Sequence, residues 1–219
     1  ATPARYTDRM ALVVTGSIGI DTIHAPTGSA ERVIGGSGVY FAASAQFLGP
    51  VRLVGVVGGD WPEEHRTQLE QFEHLDLHGL ETRPDSQTFA WGGRYFENMN
   101  RRETLFTELG VLDEAPAPVP DAYRDSKYIF LANSHPAIQL DLLRQFPDHR
   151  LAVADTMDLW INIAHDELLE LMQHMVLPVL VAAHEPLTPA QIARVVAGTD
   201  RESGLEQVSL LPGQVTLKA

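Results

Sequence analysis

The 219 residues contain no cysteine. Disulfides, thiolate nucleophiles and cysteine-built zinc sites are therefore excluded. Positive charge is scarce: 16 Lys and Arg stand against 29 Asp and Glu, a formal net charge of −13. That balance argues against nucleic acid or a membrane surface as a nonspecific partner, although a local pocket can still take an anion. No apolar run approaches the length that spans a bilayer. Residues 1–9, ATPARYTDR, lack the apolar core of a signal peptide. They read as an extension before a natural start at Met10, and the cytoplasm is the expected location. The rest is ordinary globular composition, 44% hydrophobic and 21% charged, with length for one substantial core.

The chain is organised around residues 34–60, IGGSGVYFAASAQFLGPVRLVGVVGGD. Gly35-Gly36 opens the stretch. Val39, Phe41, Ala42, Ala45 and Leu48 then recur at helical spacing, and Gly49-Pro50 stops the helix. Residues 51–57 form a buried strand, closed by Gly58-Gly59-Asp60. Glycine lets a backbone approach a ligand, and amides at a helix start favour bound oxygens. The double glycine is thus either a ligand-approach loop or a tight turn.

Residues 11–15, ALVVT, read as a short buried strand, followed by two glycines and Asp21. A carboxylate there sits at the end of a sheet, where open α/β folds place ligands, or else caps a turn. Residues 22–33 form a strand-and-turn excursion. Residues 61–75 read as a helix with Asp60 as N-cap, Pro62 in its first turn, and Leu69, Phe72 and Leu75 or Asp76 on its inner edge. His74 and His78 stand four apart, a spacing two metal ligands on a helix can use, but no third ligand accompanies them and no metal site is expected.

Residues 88–110 predict a hairpin with an Asn-rich turn over 98–102. Trp91, Tyr95, Phe96 and Phe106 line a ligand or form the small sheet's own core. Arg94, Arg101 and Arg102 reach an anion or stand solvated. A Pro-rich linker follows over 113–121. Beyond it come a strand over 127–133, a helix over 136–146 with Ile138, Leu142 and Leu143 inward, and a strand over 150–155. A helix over 159–175 follows, with Trp160, Ile163, Leu168, Leu169 and Met172 as core candidates. An apolar strand over 179–182 precedes a further helix start at Thr188-Pro189, and residues 208–219 form a hairpin around Pro212-Gly213 or a frayed tail. Strand–helix alternation predicts a parallel sheet in a three-layer α/β sandwich. Asn133, Asp155 and Asp158 each follow a strand and so face the crevice of such a sheet, with Asp155 as helix N-cap the alternative.

The glycine doublet, Ala42, Leu48-Gly49 and VGVVGGD together resemble the N-terminal signature of the ribokinase-like (PfkB-type) carbohydrate kinases. The run GRYFENMNRRETLFTELGVL over 93–112, AN-x-x-P-x-x-Q over 132–139 and DTMDLWI over 155–161 extend the resemblance, which covers about 10–175. It implies a ribokinase-like three-layer α/β/α sandwich with a mostly parallel sheet and a small β-sheet lid. The lid would come from about 22–34 and 88–108, the main domain from 10–200, and 201–219 would be a tail or hairpin. It further implies ATP- and Mg2+-dependent phosphorylation of a sugar hydroxyl, and a homodimer through the lid. Asp21, Gly35, Gly36, Tyr40 and Asn133 fall at substrate-binding positions, Asp21 accepting hydrogen bonds from sugar hydroxyls. Tyr40 stands where many members carry Asn, which favours a larger or aromatic substrate such as a nucleoside. Asp155 and Glu185 fall near the phosphate and magnesium.

The resemblance also breaks. Where the family carries Asn-x-x-Glu this chain has Ala182-Ala183-His184-Glu185. The family's catalytic Gly-Ala-Gly-Asp loop, an amide anion hole with an Asp base, does not occur. Ala197-Gly198-Thr199-Asp200 has one glycine only, and no GxxxxGK[ST] loop is present. The chain reads as apparently C-terminally truncated, which predicts an unpaired sheet edge or an exposed patch. Two rivals accompany the sugar kinase: a nucleoside kinase, and a noncatalytic sugar-binding or interaction module. A generic Rossmann-like domain ranks last, because Gly16-Ser17-Ile18-Gly19 does not match GxGxxG.

Overall fold

The structure, a computed structural model, describes residues 12–175, 179–182, 207–211 and 214–218. It divides into two compact units: Gly16–Pro118, and Ala1–Thr15 with Val119–Ala219.

In the first unit, β2 (Gly19–Ala25), β3 (Gly28–Gly35), β6 (Phe89–Tyr95) and β7 (Arg102–Glu108) form a sheet in the order β3-β2-β6-β7. The β2–β3 and β6–β7 pairs are antiparallel, and β2 runs parallel to β6. The Asn-rich turn closes the second hairpin, with Asn98 Oδ1 accepting from the amides of Asn100 and Arg101 at 3.2 and 3.1 Å. Strand β7 is exposed along nearly its whole length. The unit also holds α1 (Ser37–Ala45), β4 (Val51–Gly58), α2 (Glu63–Glu70) and β5 (Leu75–Arg83), with β4 and β5 parallel. Leu53, Val54, Val56 and Val57 of β4 are buried in its core, as are Ile18, Val39 and Ala42.

Four readings need correction in this unit. Leu48 is not on the inner stripe: α1 ends at Ala45, so Phe47 and Leu48 fall outside helical register and stand 78% and 93% exposed. Residues 75–83 are strand, not helix end, because Leu75 and Leu80 find burial by pairing in register along β4. His78 therefore lies on β5, and the helical spacing with His74 does not exist. Asp60 does not cap α2, whose N-cap is Pro62. Instead its Oδ1 accepts from the Thr88 amide at 2.6 Å and the Thr88 hydroxyl at 2.7 Å, while Thr88 Oγ1 accepts from the Gly58 amide at 2.9 Å. Asp60→Ala removes the acceptor for two donors on a residue only 2% exposed. The expected cost is about 2–3 kcal/mol, read by urea denaturation.

In the second unit, β1 (Leu12–Thr15), β8 (Tyr128–Leu131), β9 (Leu151–Thr156) and β10 (Val179–Ala182) lie side by side and parallel. β12 (Gln214–Lys218) adds to β10 antiparallel and pairs with β11 (Gln207–Leu211). Strand β12 thus covers the outer edge of β10, and β11 becomes the last strand on that side. Helix α3 (Pro136–Leu143) packs on β8, β9 and α5 (His165–His174), burying Leu140, Leu142 and Leu143, whereas Ile138 is only half-buried. The long helix expected over 159–175 is two, α4 (Asp158–Ile163) and α5. Ala164 leaves helical geometry at φ −132°, ψ 41°, and Asp166 and Glu167 complement the dipole of the new N-terminus. The break leaves Ile163 67% exposed and makes Leu168, Leu171 and Met172 the buried face. Among the described residues no helix is long and apolar enough to cross a membrane.

Candidate functional site

Asp21 does not follow a strand but lies within β2, 7% exposed. The β2–β3 register shifts just beyond it, where Arg32 takes φ 51°. Its Oδ1 is buried and has no hydrogen-bond partner among the described residues. Burial pushes its carboxyl from 3.8 up to about 6. A buried charge without a partner is costly.

The double glycine has two separate jobs. A Cβ at Gly35 would overlap the Asp21 carboxylate, so Gly35 gives that side chain its room. Gly36 takes φ 99°, and a Cβ there would strike the Ser17 carbonyl and come within 2.8 Å of Ile18 Cα. Gly36 therefore permits the close passage of the chain beside residues 17–18. The helix-start amides expected to hold bound oxygens are in part already used. Ser17 Oγ accepts from the Ser37 amide at 3.0 Å, and the Ser17 carbonyl accepts from the Gly38 amide at 3.0 Å. Ser17 was not legible as a cap from sequence, because its partners lie 20 residues on.

Tyr40, on the first turns of α1, is 52% exposed and donates from its hydroxyl to the Ile34 carbonyl at 3.2 Å. Burial raises its phenol above the ordinary value, and the Asp21 carboxylate and Tyr95 add to the rise. Asp21, Gly35, Gly36 and Tyr40 are thus brought together, with Tyr95 as an added neighbour.

Asn133 and Asp155 belong to the other unit. Asn133 is held at both ends of its amide: Oδ1 accepts from Trp160 Nε1 at 3.0 Å, and Nδ2 donates to Met157 Sδ at 3.2 Å. His135 meets the Trp160 ring edge-on at 5.1 Å and accepts the Ala137 amide as the α3 cap. Asp155, 8% exposed, is the next-to-last residue of β9 and not a helix cap, since Met157 is the N-cap of α4. Gln139 ties these strand ends together. Wholly buried, its Nε2 donates to the carbonyls of Leu131, Ala132 and Asp155 at 3.0, 3.1 and 2.9 Å. The final Gln of AN-x-x-P-x-x-Q was the one sequence signal for it. Glu185 and Asp200 lie outside the described residues. Among the described residues no three His, Asp or Glu side chains gather as metal ligands.

The mostly parallel α/β sheet with a second small sheet is the fold of the solved ribokinase-like kinases. No family model matches the sequence. Among solved structures, the chain resembles a Methanocaldococcus jannaschii nucleoside kinase, an archaeal member of the ribokinase family, with TM-score 0.63 and 14% identity over 89% of this chain and 66% of that one. A ribokinase from Cryptococcus neoformans in complex with ADP gives TM-score 0.57 and 16% identity over 79% and 72% of the two chains. A Burkholderia thailandensis nucleoside kinase in complex with inosine gives 0.54 and 13% over 79% and 70%. In sequence, the chain is 31% identical over 144 residues to a cytidine kinase from Thermococcus kodakarensis, 65% of this chain and 50% of the relative. The chain spans about half the length of that curated relative.

Proposed function

We propose that the chain is the substrate-binding part of an ATP-dependent kinase that phosphorylates a hydroxyl of a nucleoside or sugar, with a nucleoside favoured. The observation that carries the reading is the Asp21 carboxylate, whose Oδ1 is buried and unpartnered among the described residues, in the space that Gly35 leaves open. Neighbouring ligand hydroxyls supply two donors to one carboxylate, and such charge-assisted bonds are the strong ones. Bound donors also favour the ionised form, so binding relieves the cost of burial. Likeness to the cytidine kinase, and Tyr40 in place of a small polar residue, support the nucleoside over a plain sugar. Gly36 and Ser17 fix the start of α1 beside the carboxylate, and Tyr40 walls the same place. Asn133, already held by Trp160 and Met157, acts in this reading as a support rather than a direct ligand. Asp155, next to last in β9, is assigned to the phosphate side by resemblance alone. The exposed edge strands β3 and β7 are where a dimer partner would add. An ATP-using kinase works where ATP is, so the cytoplasm goes with this reading.

The test is thermal unfolding with cytidine, adenosine, ribose or fructose, each with and without Mg-ATP, and a phosphoryl-transfer assay on the same samples. A nucleoside is expected to raise Tm, by about 2.7 kcal/mol of added stability at a hundredfold excess over Kd. Binding without turnover fits a noncatalytic module, or a binding part whose catalytic loop lies in another segment. Absence of any ligand-linked rise, together with absence of transfer, overturns the reading.

A further inference from the structure

We propose that Trp91 is a specificity-determining, ligand-contacting residue, a platform for the flat base of a nucleoside whose sugar hydroxyls Asp21 takes. The inference rests on the binding role proposed for Asp21. Strands β2 and β6 pair in register with Asp21 opposite Trp91, so the two side chains leave the same face of the sheet. Val33 of β3 stands opposite Asp21 on that face as well. The face is built low. A Cβ at Gly19 would come within 2.6 Å of the Phe89 ring, one at Gly35 would overlap Asp21, and one at Gly93 would overlap the Trp91 indole. Three glycines therefore let one carboxylate and two aromatic rings lie down across the sheet instead of standing up from it.

The half-buried Trp91 ring already holds one flat group: the Arg102 guanidinium carbon lies 5.6 Å from its centroid. A guanidinium and a nucleobase use an indole in the same way, as planar partners of its π face. The structure also sorts the other aromatic candidates. Phe106 lies over Gly92, whose register places it on the opposite face, and Phe96 lies past the end of β6 under Arg101. Only Phe89, Trp91 and Tyr95 of β6 share the face of Asp21, and Trp91 is the one directly opposite it.

The experiment measures cytidine and ribose binding by calorimetry to the full chain and to its Trp91→Ala and Trp91→Phe variants, alongside tryptophan fluorescence. Trp91→Ala is expected to weaken cytidine about 5- to 100-fold, the range of base–aromatic stacking, while leaving ribose within about threefold. Trp91→Phe should keep most of the cytidine affinity but lose the fluorescence change that cytidine causes in the wild type. A Trp91→Ala chain that binds cytidine as the wild type does overturns the proposal, as does equal loss for cytidine and ribose. Should Trp91→Ala not fold, the Phe variant decides: a cytidine-linked fluorescence change that survives in it places the contact at another tryptophan. A wild type that binds ribose but not cytidine overturns this inference and leaves Asp21 standing. A wild type that binds neither overturns both.

Discussion

Replacing Asp21 with Asn is expected to weaken nucleoside or sugar binding about 10²- to 10³-fold while making the free chain more stable. The loss follows from two charge-assisted hydrogen bonds reduced to neutral ones, about 3–4 kcal/mol together. The gain follows from the same burial. The folded carboxyl titrates near 6, above its ordinary 3.8, so between those values the folded chain holds the proton more tightly than the unfolded chain does. Wild-type stability therefore falls as pH rises from about 4 to about 6, and the cost stays in full above that. Allowing for partial solvation, the cost is about 1–2 kcal/mol, and the Asn variant should lack it. Denaturant melts at pH 4.5 and pH 8 check this: the two proteins should differ more at pH 8. Identical pH slopes for the two would show that Asp21 is not the group responsible.

The second large effect is expected at Gln139. Its Nε2 donates to three carbonyls at the ends of β8 and β9, tying the two strands together. Gln139→Leu keeps the volume but strands buried acceptors, so a loss of about 2–4 kcal/mol is expected. Gln139→Glu should be worse at neutral pH, because a carboxylate would face three carbonyl oxygens in a buried place. Urea midpoints at constant slope provide the measurement. A Leu variant within about 0.5 kcal/mol of the wild type would mean that other groups hold those strand ends.

These two residues differ in how far the sequence could reveal them. Asp21 stood out because a strand and two glycines precede it, and a carboxylate in that place is a local signal. Its setting did not: the sequence suggested a turn after a strand, whereas pairing with both β3 and β6 makes it a strand residue. Strand β4 and the 88–108 hairpin were legible because a buried apolar run and an Asn-rich turn each act within a few residues. Strand β5 was hidden because LDLHGLETR has two buried leucines only once it lies against β4. Asp60 was misread for the same reason, since the residue it serves is 28 positions away. The break at Ala164 has no glycine or proline to announce it. In each case the missing information is a long-range partner, and spacing along the chain does not carry that.

The central claim is that the ligand binds to the ionised Asp21 carboxylate. Calorimetry of cytidine binding at pH 6, in buffers of different ionisation enthalpy, tests it most directly. Near that pH about half of the carboxyls carry a proton, so binding should release on the order of half a proton per site. At pH 8 the release should vanish, and in Asp21→Asn it should be absent at both. Binding at pH 6 without proton release, or with release unchanged in the Asn variant, would contradict the account.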